Sequence, residues 1–146
     1  MKHEFFLDWS PDPRDHAALL QRMVSANLAR GGPSGYRNIA VILRYPDTGE
    51  ASSGVWGSIL YGWLSIELLY VAEPDRGHGL GSRLLTALED AAREQGCVGV
   101  WLNTYAFQAP NFYEKNGYEQ FGELASDLVS MGADKRLRFY RKEFNR

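Results

Sequence analysis

Residues 69–85 read LYVAEPDRGHGLGSRLL, and the rest of the chain is best read outward from them. An apolar run enters a short acidic turn, passes through Arg76-Gly77-His78-Gly79-Leu80-Gly81, and continues into a helical pattern. Glycines at such a junction allow sharp turns and let the backbone approach a ligand without a Cβ clash. A helix that starts here presents unpaired N–H groups and the positive end of its dipole, which suit phosphate oxygens. The loop therefore has the make-up of a pyrophosphate holder.

Which pyrophosphate it holds narrows by elimination. A P-loop needs Lys-Ser or Lys-Thr after its glycines, and none follows. A dinucleotide fingerprint needs G-x-G-x-x-G early in a βαβ unit, but the third glycine comes too soon and about half the chain precedes this strand. The pattern that does fit is R-x-x-G-x-G, at Arg76, Gly79 and Gly81. A second block, WLNTYAFQAPNFYEKNGYEQFGEL at 101–124, supplies A-x-x-x-Y-x-x-x-G-[FY] through Ala109, Tyr113, Gly117 and Tyr118. Together these motifs resemble the GNAT superfamily of acyl-CoA N-acyltransferases, and the FQAPxFY words at Phe107–Tyr113 are similar to one bacterial branch of it. The resemblance is strongest over residues 63–124. One departure stands out: many relatives carry Asn three residues before the alanine, where this chain has Ala106. The contacts of that Asn would then come from Asn103, Gln108 or Asn111.

The resemblance implies a single-domain α/β fold, with a mixed, mostly antiparallel β-sheet flanked by helices on both faces. It implies acetyl-CoA as co-substrate, no metal, and direct transfer of the acetyl group to a primary amine in a ternary complex. The backbone of Arg76, Gly77, His78, Gly79, Leu80, Gly81 and Ser82 would clamp the pyrophosphate, so His78 would serve through its main chain. Leu69, Tyr70 and Val71 would hold the pantetheine arm like an added strand, with the Val71 N–H polarising the thioester oxygen. Tyr113 falls where relatives place the group that protonates the departing thiolate. Glu67 is the candidate base: counted by alternation it shares a strand face with Val71, and burial among Ile66, Leu68 and Leu69 would lift its pKa into a useful range. An ordinary strand acid, with a water relay taking the amine proton, is the alternative. Trp56, Tyr61, Trp63 and Tyr105 are candidates for the acceptor pocket, where aromatics suit a cationic or flat amine.

Bulk properties agree with an ordinary globular chain. Its 146 residues, read as one domain over 1–146, can bury a core without staples. A net charge of −2 gives no field to draw nucleic acid or anionic membrane. One cysteine, Cys97, cannot build a disulfide framework and reads as a small buried hydrophobe, which with the absence of a signal-like N-terminus points to the cytoplasm. Three scattered histidines and one cysteine offer no metal site.

Along the chain, the aromatic alternation of Glu4–Trp9 predicts a first strand, and Ser10–Pro13 predicts the cap of a helix running through Ala29. Gly31–Gly35 reads as a flexible link. Strands follow at 36–44, 51–61 and 63–72, a helix at 83–95, a strand at 98–104, a short helix at 109–115 and a strand at 118–124. A loop through Met131–Asp134 leads to a last strand at 136–143, whose cluster Lys135, Arg136, Arg138, Arg141 and Lys142 reads as the solvated face of an edge strand. Glu89, Asp90, Arg93 and Glu94 read as the wet face of the 83–95 helix. A small-molecule acceptor is expected, as no separate protein-docking domain is visible, and a homodimer is possible. The rival function is a non-catalytic acyl-CoA sensor, which would keep the glycine loop and dispense with Tyr113 and Glu67.

Overall fold

The computed structural model describes residues 2–125 and 132–145 and divides into two compact units that meet in the chain at Ser34/Gly35, the end of the glycine-rich link. In the first unit, helix α1 (Pro13–Gly31) starts where the sequence places its signals. The Asp12 carboxylate accepts the Arg14 N–H at 2.9 Å, Pro13 occupies the first turn, and Gly32 closes the helix by donating to the Leu28 carbonyl. No residue of α1 is buried. The expected strand at Glu4–Trp9 does not form. A strand exists only through its ladder, and these residues belong to none, whatever their alternation.

The second unit runs β1 (Arg37–Arg44), β2 (Ala51–Leu60), β3 (Trp63–Tyr70), α2 (Leu80–Glu94), β4 (Gly99–Tyr105), α3 (Phe112–Lys115), β5 (Glu119–Leu124) and β6 (Leu137–Glu143). These strands make one six-stranded sheet in the order β1-β2-β3-β4-β6-β5. Only β3 and β4 are parallel, so the sheet is mixed and mostly antiparallel as expected. Two antiparallel neighbours can share a tight turn, and Tyr61 and Gly62, both at positive φ (48° and 79°), fold β2 directly onto β3. A parallel pair needs a crossover, and α2 supplies it. Leu84, Leu85, Leu88 and Ala92 of α2 pack on Val55, Leu64, Val100 and Leu102 of the sheet to make the core. Cys97 is buried there, as its small apolar character predicts, and burial raises its thiol pKa.

Two charge assignments change. β5 takes the edge on its side of the sheet, and β6 lies between β4 and β5, so β6 is interior. Its basic residues are matched across the ladder: Arg141 lies opposite Glu119 and pairs with it at 2.8 Å, and Arg138 lies opposite Glu123 and pairs at 3.4 Å. Glu89, expected on the wet face of its helix, is only 3% exposed. It stands four residues after Leu85 and three before Ala92, which is the spacing of the apolar stripe. Position on the helix prevailed over charge. Of the loop expected through Met131–Asp134, Met131 lies outside the described residues.

Candidate active site

β3 and β4 are paired only from Trp63–Ile66 to Gly99–Leu102, and then they separate. The cause is local. Trp56 pairs with Leu68 but Gly57 with Ile66, so Glu67 is the extra residue of a β-bulge, and a bulged strand bends. Beyond the bulge, Leu68–Tyr70 stay paired with β2, and Asn103–Tyr105 stay paired with β6. Each strand is held from behind while the edges that face each other have no ladder. The result is a cleft of about 330 Å³, whose walls include Glu67, Leu69, Asn103, Tyr105, Gln108 and Tyr113. That volume suits a small-molecule site.

The bulge also revises the reading of Glu67. Leu64 and Ile66 face the core before it, whereas Leu69 and Val71 pack against the core after it, so the alternation changes parity between Glu67 and Val71. Glu67 is exposed, not buried among leucines. It does line the cleft, where it is the only charged side chain among the described residues. Of the four aromatic candidates, Tyr105 lines the cleft and Trp56, Tyr61 and Trp63 do not. Trp63 instead lies over Gly99, so close that a Cβ there would meet its ring at 2.6 Å.

At the open end of β3, Ala72 donates its N–H to the buried Ser53 hydroxyl at 2.8 Å. Successive strand N–H groups point to opposite edges, so with Ala72 turned toward β2 those of Val71 and Leu69 point to the edge that β4 has left. Arg76 donates Nε–H to the Val71 carbonyl at 2.8 Å, and its guanidinium lies 5.5 Å from the centre of the Tyr70 ring. The Arg76 side chain thus fastens the loop to the strand. Gly77 and Gly79 take φ of 83° and 75°, a conformation that side chains resist. Gly79 caps α2, which begins at Leu80, three residues earlier than its apolar pattern suggests. The first helical bond runs from Arg83 N–H to Gly79 O, leaving the N–H groups of Leu80, Gly81 and Ser82 without an acceptor within the helix. His78 is exposed in this loop. Gly81 sits in a tight place of another kind: a Cβ would come 3.3 Å from the Phe112 ring, which would have to give slightly, and 3.7 Å from Val71.

The 109–115 helix shrinks to the single turn Phe112–Lys115, entered through Asn111 in the left-handed conformation (φ 67°), which Asn tolerates better than most residues. The Gln108 side-chain oxygen accepts from Tyr105 N–H at 2.8 Å and from the Thr104 hydroxyl at 3.1 Å, finishing β4. Tyr113 is 7% exposed and packed against Phe112, Tyr118 and Tyr140. Burial, with no hydrogen bond contributing, pushes its phenol up to about 12. Burial raises Tyr118 and Tyr140 as well, reinforced by their bonds to Glu89 and Glu114. All three stay protonated in the fold after an unfolded chain's tyrosines have begun to ionise near pH ~10. Stability is therefore expected to be full below that pH and to fall above it, read as a thermal midpoint that drops between about pH 10 and 12, less steeply in Tyr113→Phe.

Sequence reasoning missed Ser53, Glu89 and Lys142. The Glu89 carboxylate accepts from the Tyr118 hydroxyl (Oε2, 2.6 Å) and from the Lys142 ammonium (Oε1, 2.9 Å). The helical spacing of Glu89 was a usable signal, but its partners lie 29 and 53 residues away with no motif to join them.

Residues 36–120 match the acetyltransferase (GNAT) domain family. An acetyltransferase of Agrobacterium fabrum is 34% identical over 120 residues, 82% of this chain and 87% of its own length. A blasticidin-S acetyltransferase of Streptomyces morookaense is 45% identical over 73 residues, covering 49% of this chain and 54% of that protein. A crystal structure described as an Agrobacterium tumefaciens acetyltransferase superposes with a TM-score of 0.86 at 30% identity, over 97% of this chain and all of that one. The bulge-opened cleft and glycine loop therefore sit in a chain that belongs to the GNAT acetyltransferase family. Its activity class is that of an acyl-CoA-dependent N-acyltransferase. Among the described residues no three His, Cys, Asp or Glu side chains stand close enough to hold a metal, and no helix is long and apolar enough to cross a membrane.

Proposed function

We propose that this enzyme moves the acetyl group of acetyl-CoA onto the primary amine of a small cationic molecule by direct attack in a ternary complex. The observation that carries the proposal is the cleft between β3 and β4, which brings Glu67 and Tyr113 to one volume of about 330 Å³ beside the free edge of Leu69–Val71. In this reading the N–H groups from Gly77 to Ser82 hold the pyrophosphate, with Asn111 at the loop's neighbour α3. The edge of Leu69, Tyr70 and Val71 holds the pantetheine, and the Val71 N–H meets the thioester oxygen. The amine nitrogen attacks the carbonyl carbon, the carbon–sulfur bond breaks, and the sulfur leaves as a thiolate. Tyr113 gives that sulfur a proton. Glu67 takes the proton the amine sheds, directly or through water, and attracts cationic acceptors to an otherwise uncharged cleft. The blasticidin-S acetyltransferase among the relatives supports a small-molecule acceptor.

Thiol release from acetyl-CoA tests this across polyamines, aminoglycosides, amino acids and a lysine-rich peptide, with acetyl-CoA binding followed in parallel. Turnover is expected with small cationic amines. Turnover with the peptide alone would overturn the acceptor class, and tight binding with no turnover in any arm would favour the sensor reading.

A further inference from the structure

The buried carboxylate on α2 is joined to the backbone of the residue that protonates sulfur. The Tyr113 carbonyl accepts two N–H groups, from Asn116 and from Tyr118, each at 3.0 Å. Both donors belong to the turn that closes α3, and both are anchored to Glu89. Tyr118 reaches it through its hydroxyl at 2.6 Å. Asn116 reaches it through Lys142, whose ammonium donates to the Asn116 carbonyl at 3.1 Å and to Glu89 at 2.9 Å. Gly117, between the two, has φ of 88° and lies over the Lys142 stem, where a Cβ would be 3.5 Å from Cε. The Tyr118 ring meets the Tyr113 ring edge-on at 5.6 Å. Glu89 sits on the helix whose first turn carries Leu80, Gly81 and Ser82, and Gly81 lies so near the ring of Phe112, the residue beside Tyr113, that a Cβ there would come within 3.3 Å of it. The coenzyme-binding helix and the Tyr113 turn therefore come together at two places: a close approach of Gly81 to Phe112 at the helix start and a charged knot two turns on.

We propose that Glu89, with Tyr118 and Lys142, is a positioning group that sets the Tyr113 hydroxyl relative to the coenzyme A loop. This rests on the reading of Tyr113 as proton donor. A carboxylate can fix geometry here because it accepts along two directions at once and is shielded from water, where such bonds are stiff. A neutral apolar side chain at position 89 would fill the space and leave the turn's two anchors without a common point.

A double-mutant cycle tests the coupling. Thiol release from acetyl-CoA is measured for the wild type, Tyr118→Phe, Tyr113→Phe and the double variant. Each is assayed with spermidine as probe amine and without amine, so that water is the acceptor. Tyr118→Phe keeps the ring stack and removes only the bond to Glu89. It is expected to lower kcat about tenfold, within the ~10²-fold that small misplacements cost, with acetyl-CoA affinity nearly unchanged and a thermal midpoint lowered by the lost bond to the buried carboxylate. In the Tyr113→Phe background the same change should cost nothing further, because the group it positions is gone. An additive loss, or an unchanged kcat in Tyr118→Phe, overturns the positioning role while leaving the Tyr113 reading intact. An unchanged kcat in Tyr113→Phe overturns both. Should Tyr118→Phe lose its fold, Glu89→Gln, which keeps volume and an acceptor, enters the same cycle with the same expectation.

Discussion

Tyr113→Phe is expected to lower kcat by about 10²-fold or more, the scale of a lost general acid, while acetyl-CoA binds as before. The substitution isolates one atom. The ring is held by Phe112, Tyr118 and Tyr140, and phenylalanine keeps those contacts. Tyr113 lines the cleft and burial alone shifts its pKa, with no hydrogen bond contributing, so removing the hydroxyl breaks no structural hydrogen bond. The thermal midpoint at neutral pH should therefore hold. With the phenol pushed up to about 12, it is fully protonated wherever the enzyme works, so the proton is always present. Complete transfer to a free thiolate whose parent thiol lies near ~8.5 would be uphill. A thiolate formed in the same shielded cleft is destabilised by the burial that raises the phenol, and the two acidities approach each other. Steady-state kinetics with calorimetric acetyl-CoA binding distinguish the cases. A variant with full kcat removes Tyr113 from the chemistry, and one with weakened binding makes it a packing residue of the coenzyme site.

What the sequence displayed, and what it hid, divides along a physical line. Local signals were readable: the glycines at 77 and 79 require the turn they make, Asp12-Pro13 starts its helix, and the stripe Leu84–Ala92 faces the core. Register was not readable. The bulge at Glu67 inserts one residue into an alternating run, and no composition marks it, yet it bends β3, opens the cleft and exposes the acid. Order in the sheet was hidden too. β6 carries three paired basic residues and looked like an edge, but the acids that match its two arginines, Glu119 and Glu123, sit on β5 across a long connection. Glu4–Trp9 shows the converse, a strand pattern with no ladder to join. Pairing partners are a property of the fold and not of the segment.

The second large effect is on stability, at the same buried carboxylate. Lys142→Met is expected to destabilise the fold by about 3 kcal/mol, the low end of the range for breaking a buried pair from one side. The low end applies because the Lys142 side chain is 26% exposed, so water can reach part of the site, whereas Glu89 is sealed at 4%. Methionine replaces the apolar stem that passes beneath Gly117 and gives up the ammonium that lies 5.5 Å from the centre of the Tyr118 ring, so packing changes little and the loss is electrostatic. It leaves Glu89 with one hydrogen bond, from Tyr118, and the Asn116 carbonyl without its ammonium. Removing the other partner as well should recover much of the loss: Glu89→Leu with Lys142→Met leaves no charge to strand, and apolar replacements of buried pairs are often neutral. Urea unfolding of the single and double variants reads both values. A Lys142→Met protein as stable as the wild type would mean that water already screens the pair. A double variant that recovers stability but not kcat would separate what Glu89 does for the fold from what it does for Tyr113.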